Sequence, residues 1–337
     1  MSSRSDWIDY AKGLGIILVV YGHVARGLYN SGVHINEGAY QLIDSFIYSF
    51  HMPLFFFLSG FFLLSSLKKK SGKELIFKKV DTIFYPYVLW SVLQGTIEVS
   101  LSKVTNGDVK LYEVLSLFTY ARAHFWFLYA LFLLFFVSIL LHKVFDLNAN
   151  AKFFFFISAC LYFYPSYLIT DNTQDYIFNN LVFFMLGVIF YKFYKNKDIG
   201  RFMFFIPISL LFIIVQYIYH IIYQGDLNHK GGGGLALSII SVVFIVSLSQ
   251  LLCNWRFKLL LYLGTSSLYI YLMHILFASG FRIVSRKYFG DGYYEAQLFL
   301  GVSFGLALPL VVVFCTRKFR VRYIFEAPIS NVLIKIK

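Results

Sequence analysis

The chain has 337 residues, 59% of them hydrophobic, 21% aromatic and only 14% charged, with a mean hydropathy of +0.69. Soluble domains carry about 25% charged residues, so this composition cannot coat a water-soluble globule of this size and excludes that class. The formal charge of +13 then reads as a signal of membrane topology, and nucleic acid is not needed to explain it.

A spanning helix takes roughly 20 apolar residues, so the length leaves room for about ten helices and little else. The apolar runs predict ten spans, at about 13–30, 40–66, 80–101, 124–141, 153–169, 177–193, 202–223, 235–252, 259–279 and 297–316. The separators carry turn chemistry, as in SGVHINEG, TDNTQD, QGDLNHKGGGG and YFGDGYYEAQ. The four residues Gly231 to Gly234 are expected to be a flexible connector. The fold expected is an all-α polytopic membrane bundle forming one domain over 1–337. The opening MSSRSDWIDYAKG carries two acids and two bases with no small-residue cleavage site after it, so no removable leader is expected.

An even number of spans puts both ends of the chain on one side. That side holds 22 of the 30 Lys and Arg residues, and the other holds Arg26, Lys103, Lys110, Arg122, Lys230, Arg282, Arg286 and Lys287. Ten of the 17 acids fall on the latter side. Basic loops are retained in the cytoplasm, so both termini are expected there, in a bacterial plasma (inner) membrane with lipid as the surrounding partner. Cys160, Cys253 and Cys315 fall in apolar runs without paired spacing and are expected to pack inertly, with no metal site.

Ionisable side chains within the spans stand out, because a charge near the bilayer centre costs about 2.5–3.5 kcal/mol on insertion scales. The first span holds Lys12 at its inner end, His23 and, one turn on, Arg26. Eleven residues at helical pitch place Lys12 and His23 on one stripe, roughly 16 Å apart. In the second span Asp44, Tyr48 and His51 stand at i, i+4 and i+7 and share a face. Pro53 follows and is expected to open that helix near Ser49. His124 marks the mouth of the fourth span, beside Trp126, and His274 lies about 22 Å into the ninth. His34, His142 and His229 are assigned no role. The residues alone fit either a structural polar network or a reaction centre.

No GxSxG, HExxH, Walker A or dinucleotide fingerprint occurs, so soluble-enzyme templates fail. A neutral histidine can take a proton from a hydroxyl, and a cytoplasmic base on the same stripe can hold an anionic donor below it.

Five stretches carry a family resemblance: DWIDYAKGLGIILVVYGH at 6–23, FHMPLFFFLSGFF at 50–62, KKVDTIFYPYVLW at 78–90, HFWFLYALF at 124–132 and SSLYIYLMH at 266–274. With them the chain resembles the acyltransferase 3 integral-membrane family, and within it the proteins grouped as fucose 4-O-acetylase-like. The resemblance implies that His23 is the catalytic histidine and that Lys12 helps to hold an acyl-CoA, acetyl-CoA being the expected co-substrate. Members carry two arginines before the proline of the third span. Here Lys79 matches the first while Asp81 and Thr82 occupy the second region, so a two-base clamp is incomplete unless Lys78 supplies the second charge. Ser59 and Gly60 match the family's Ser-Gly pair, where small residues would let a pantetheine arm pass. The acceptor is expected to be a glycan or lipid-linked sugar. Arg26, Asp44, Tyr48, His51, His124, Trp126 and His274 are the residues expected to orient it or the imidazole.

Three other readings stay open at this stage. One is a carrier or flippase for a lipid-linked sugar, although inverted repeats and broken helices of the usual kind are not evident. Another is O-succinyl transfer, which needs only a different pocket near His23, and the third is a structural or regulatory membrane subunit.

Overall fold

The computed structural model describes residues 6–101, 110–165, 172–225, 231–321 and 323–331. Helix makes up 82% of the structure, and no strand occurs among the described residues. Among the described residues eight helices are long and apolar enough to cross a membrane: Asp6–Asn30, Glu37–Leu67, Leu111–Phe145, Thr173–Tyr194, Phe202–Ile222, Gly232–Cys253, Ser267–Phe289 and Tyr294–Lys318. The sequence thus specifies an all-α polytopic membrane protein. The two other expected spans are shorter, Tyr85–Ser100 with 16 residues and Ala151–Tyr162 with 12. The end of the latter's expected run, 166–169, lies outside the described residues, as do Lys103, Lys230 and His229.

In chain order the helices are α1 (Asp6–Asn30), α2 (Glu37–Tyr48), α3 (His51–Phe61), α4 (Leu63–Leu67), α5 (Gly72–Lys79) and α6 (Tyr85–Ser100). Then follow α7 (Leu111–Leu115), α8 (Trp126–Phe145), α9 (Ala151–Tyr162), α10 (Asn172–Tyr194) and α11 (Phe202–Tyr217). The last are α12 (Gly232–Cys253), α13 (Lys258–Thr265), α14 (Ser267–Phe289) and α15 (Tyr294–Lys318). Gly232 to Gly234 therefore open α12, where a flexible connector was expected, and the Leu235 amide already bonds to the Gly231 carbonyl at 3.1 Å. The apolar run that follows is long enough to carry three glycines in its first turn, where helix propensity matters least.

The coordinates divide into two units, one of Met1–Phe55 and Lys197–Phe319, the other of Phe56–Lys103, Gly107–Asn196 and Arg320–Lys337. In the first, α1 packs against α2, α12, α13, α14 and α15. Glycines set the spacing: a Cβ on Gly13 would overlap the Leu260 carbonyl oxygen, and one on Gly264 would overlap that of Asp9. Backbones that approach this closely gain dispersion contacts that lipid cannot supply. In the second unit, α10 packs on α8, α9 and α4, and α5 packs on α8.

Two interruptions follow from prolines. Pro53 has no N–H for the Ser49 carbonyl, and the helix breaks at Ser49 and Phe50, between α2 and α3. A free carbonyl in hydrocarbon is costly. Ser238 Oγ of α12 donates to the Ser49 oxygen at 2.6 Å, and that hydroxyl is 6% exposed as part of its residue. Likewise Pro86 cannot serve the Thr82 carbonyl, and residues Val80–Phe84 widen into a π turn just before it.

That turn faces Asp81 inward, 1% exposed, where its carboxylate accepts from the Ser330 amide at 3.1 and 3.2 Å and from the Ser330 hydroxyl. Nearby, Trp90 Nε1 donates to the Ile324 carbonyl at 3.0 Å and its ring stacks on Phe325 at 5.8 Å. The Tyr85 hydroxyl donates to the Tyr323 carbonyl at 2.6 Å. The Asp81 carboxylate thus ties down the segment after α15.

Ser238→Ala leaves the Ser49 carbonyl unserved and is expected to cost about 1–3 kcal/mol. Adding Pro53→Ala restores a local N–H donor, so the double variant should melt, in detergent, closer to the wild type than Ser238→Ala does. Asp81→Ala should cost a similar amount and speed proteolytic clipping of 323–331. Unchanged clipping would show that Asp81 does not hold this segment.

Candidate functional site

Within the first unit, α1 turns His23 toward α14, and its ring centroid lies 5.1 Å from that of His274. His274 is fully buried, and its Nδ1 lies 2.8 Å from the Tyr271 carbonyl and 3.1 Å from that of Ile270. Carbonyls only accept, so in the neutral ring Nδ1 carries the proton and Nε2 keeps a lone pair. His51, 2% exposed, is fixed in the same way by the Ile47 carbonyl at 2.8 Å. The carbonyls that hold His274 belong to its own helix, and the one that holds His51 lies four residues back across the break between α2 and α3, so local backbone geometry sets both tautomers. His23 itself is only partly buried, which distinguishes it from these two neighbours.

Tyr48 stands between the histidines, its ring 4.5 Å from His51 and 6.5 Å from His23, edge-on to both. Its room comes from Gly22, where a Cβ would stand 2.9 Å from Tyr48 Cε2. Arg26 holds it from the other side: the guanidinium carbon lies 3.2 Å from the ring centroid, while Nε and Nη2 donate to the two Asp44 oxygens at 2.7 Å each. A two-pronged guanidinium–carboxylate pair fixes orientation as well as charge. The Tyr48 hydroxyl is buried with no hydrogen-bond partner among the described residues. Expected residues Arg26, Asp44, Tyr48, His51, His23 and His274 thus meet in one cluster, with Asp44 serving Arg26.

Two residues of this unit were absent from the expected set. Arg282, eight positions after His274 on α14, is half-buried, with its Nη1 in the space that a Cβ on Gly27, one turn beyond His23, would fill. Among the described residues no carboxylate pairs with it. His220 lies in the π turn Ile218–Ile222 after α11, with Nδ1 3.0 Å from Ser45 Oγ and a buried Nε2 without a partner among the described residues. For His220 the signal is the one used for the others, an ionisable side chain inside an apolar run, whereas Arg282 falls beyond the expected ninth span and is counted with the outer-side charges. Lys12, at the opposite end of α1 from Arg26, pairs with Asp9 at 3.1 Å.

The remaining expected residues lie in the second unit. Lys78 is ion-paired with Glu326, and Lys79 Nζ lies 3.8 Å from the Phe135 ring centroid. Ser59 is half-buried, and the space beside Gly60 is filled by the Phe184 main chain. The reciprocal contact is at Gly187, where a Cβ would overlap the Phe57 carbonyl. In this structure the small residue at 60 is therefore used for close packing of α3 on α10. His124 is 5% exposed with its ring 4.0 Å from that of Phe125, and the Trp126 ring lies 5.9 Å from that of Tyr176.

Such a cluster can hold a hydroxyl against an imidazole, and both the family and its relatives can be compared with that chemistry. A family model described as an acyltransferase domain matches residues 5–317. The nodulation protein NolL of Mesorhizobium japonicum is 31% identical over 137 residues, 40% of this chain and 35% of that protein. The nodulation protein NolL of Sinorhizobium fredii is 29% identical over 150 residues, 43% of this chain and 37% of that protein. The matched stretches span little more than a third of those relatives. No solved structure matches the chain. The extent of the family match, from the start of α1 to the end of α15, shows that the chain belongs to the acyltransferase domain family.

Proposed function

We propose that this chain is a membrane O-acyltransferase that moves an acetyl group from cytoplasmic acetyl-CoA to a hydroxyl of an extracytoplasmic or lipid-linked glycan. The observation that carries this reading is the His23 imidazole set between the His274 and Tyr48 rings, at 5.1 and 6.5 Å. The hydroxyl oxygen bonds to the thioester carbonyl carbon while His23 takes its proton. The carbon–sulfur bond then breaks, and the departing thiolate receives that proton. Base catalysis of this kind contributes about 10²–10⁴-fold. His274, His51 and Tyr48 position the imidazole and the acceptor, and the Arg26–Asp44 pair holds Tyr48.

Lys12, Lys78 and Lys79 are the cations proposed to meet the phosphates of the donor. For Lys12 and Lys78 this requires exchange with Asp9 and Glu326, their present partners. The roughly 16 Å from Lys12 to His23 along α1 is comparable to an extended pantetheine arm. Acetyl as the transferred group follows the resemblance to fucose 4-O-acetylase-like proteins, and succinyl is the alternative. The charge asymmetry supports a bacterial plasma membrane location with both ends in the cytoplasm. His124 and Trp126 are proposed on the acceptor side. Arg282, a cation with no carboxylate pairing among the described residues, suits the phosphate of a lipid-linked acceptor.

His23→Ala and His23→Gln, expressed and inserted at wild-type levels, should lose about 10²–10⁴-fold in acetyl transfer, read by mass analysis of the surface glycan. Full acetylation in both variants refutes the assignment of His23. A wild-type protein whose presence leaves glycan mass unaltered but changes its location would instead identify a carrier. Arg282→Gln should raise the KM for a lipid-diphosphate-linked sugar about tenfold, leave kcat near the wild type and leave the KM for the free sugar unchanged. Equal effects on both acceptors would remove the phosphate-binding role.

A further inference from the structure

The second unit contains a cavity of about 510 Å³, with Trp126, proposed above on the acceptor side, in its wall. It lies where the first turn of α8 meets the first turns of α10, and its walls include Tyr120, Trp126, Asp175, Tyr176, Asn179 and Asn180. Its volume is in the range of small-molecule sites, about 300–1,000 Å³. Two kinds of surface compose it. Trp126 and Tyr176 present rings within 19° of parallel, 5.9 Å between centroids, and Tyr120 stands 60% exposed at the rim. Against these aromatic faces stand two amides and a carboxylate.

The polar wall is held from behind. Asn180, 8% exposed, donates from Nδ2 to the Tyr176 carbonyl at 2.8 Å, which fixes its amide and leaves Oδ1 as an acceptor. Asn179 Oδ1 is buried and has no hydrogen-bond partner among the described residues. An acceptor buried this way is costly unless a ligand supplies a donor. Among the described residues no lysine or arginine lines the cavity, and the one carboxylate in its wall is Asp175. A phosphate or carboxylate would face the Asp175 charge with no cation opposite it among the described residues, which disfavours the donor's pyrophosphate and an acidic sugar there. The complement of this lining is a neutral ring with an apolar C–H face for the aromatics and several hydroxyl donors at its edge for the oxygens.

We propose that this cavity is a binding pocket for an uncharged pyranose unit of a glycan, stacked on Trp126 and Tyr176 and donating hydroxyl protons to Asn179 Oδ1 and Asp175. The ligand class is carried by the lining itself, and only the pocket's use for an acceptor rests on the transfer reading above. A hydroxyl-reading pocket rejects analogues that lack the hydroxyl far more strongly than an apolar one rejects a methylene. Selection among neutral sugars is therefore set at Asn179 and Asp175.

The test is saturation-transfer NMR on the full chain in detergent micelles, with methyl glycosides of glucose, galactose and N-acetylglucosamine as probes and choline as the cationic control. At least one glycoside should receive saturation, strongest at ring C–H protons of a single face. Asn179→Ala should weaken that binding about tenfold, and so should Tyr120→Ala, a rim substitution too exposed to disturb folding. His23→Ala should bind as the wild type does, which separates this pocket from the catalytic assignment. If no glycoside is saturated, if Asn179→Ala and Tyr120→Ala both bind normally, or if choline is saturated in place of the sugars, the proposal is overturned. A glycoside-binding protein that transfers no acetyl group would sustain the pocket and defeat only the transfer reading.

Discussion

The close approach of α1 to the helices of its unit is the constraint on which the cluster around His23 depends. Lipid gives apolar side chains no reason to leave it, so helices in a membrane associate through backbone proximity and polar contacts. Small residues supply that proximity here. Gly13 and Gly264 bring α1 and α13 together, Gly22 admits Tyr48, and Gly301 and Gly305 of α15 take up the Val24 and Val20 side chains of α1. With larger residues at these positions, His23 could not sit 5.1 Å from His274 with Tyr48 at its other side.

The same medium explains how the interruptions are tolerated. Each break in a helix exposes a carbonyl that water cannot reach, and each described break near a proline has an answer. Ser238 serves the carbonyl that Pro53 abandons, and a π turn redistributes the bonds before Pro86. Buried hydroxyls elsewhere turn back on their own helices, as Ser241 does to Leu237 at 2.7 Å and Ser249 to Ile245 at 2.6 Å. Polar side chains in this chain thus divide into those that repair the backbone and those that do not. The Tyr48 hydroxyl, Asn179 Oδ1 and Arg282 belong to the second kind among the described residues, and these are where ligand chemistry has room.

The two units differ in the chemistry they offer. The first gathers the imidazoles of His23, His51 and His274, a locked guanidinium–carboxylate pair and a half-buried arginine, a setting for proton transfer and for an anion. The second carries aromatic rings, amides and the Asp175 carboxylate around a cavity, together with Lys78 and Lys79, which face a glutamate and a phenylalanine ring. Charged and neutral parts of the proposed glycolipid acceptor call for different partners, and among the described residues no lysine or arginine lines the neutral pocket.

Composition and periodicity by themselves determined that the chain is helical and resides in a membrane, because both follow from the solvent and from residue spacing. They also fixed that Asp44, Tyr48 and His51 share a face and that the second span breaks near Ser49, since helical pitch and a missing N–H are local properties. Tertiary structure decided the rest. That Asp44 clasps Arg26, that Ser238 reaches Ser49, that Gly60 is spent on packing against Phe184, and that Arg282 arrives beside Gly27 all depend on which helices become neighbours. Spacing along one helix carries no information about the partner that another helix brings to it, and in lipid that partner is selected by the fit of small residues against backbone.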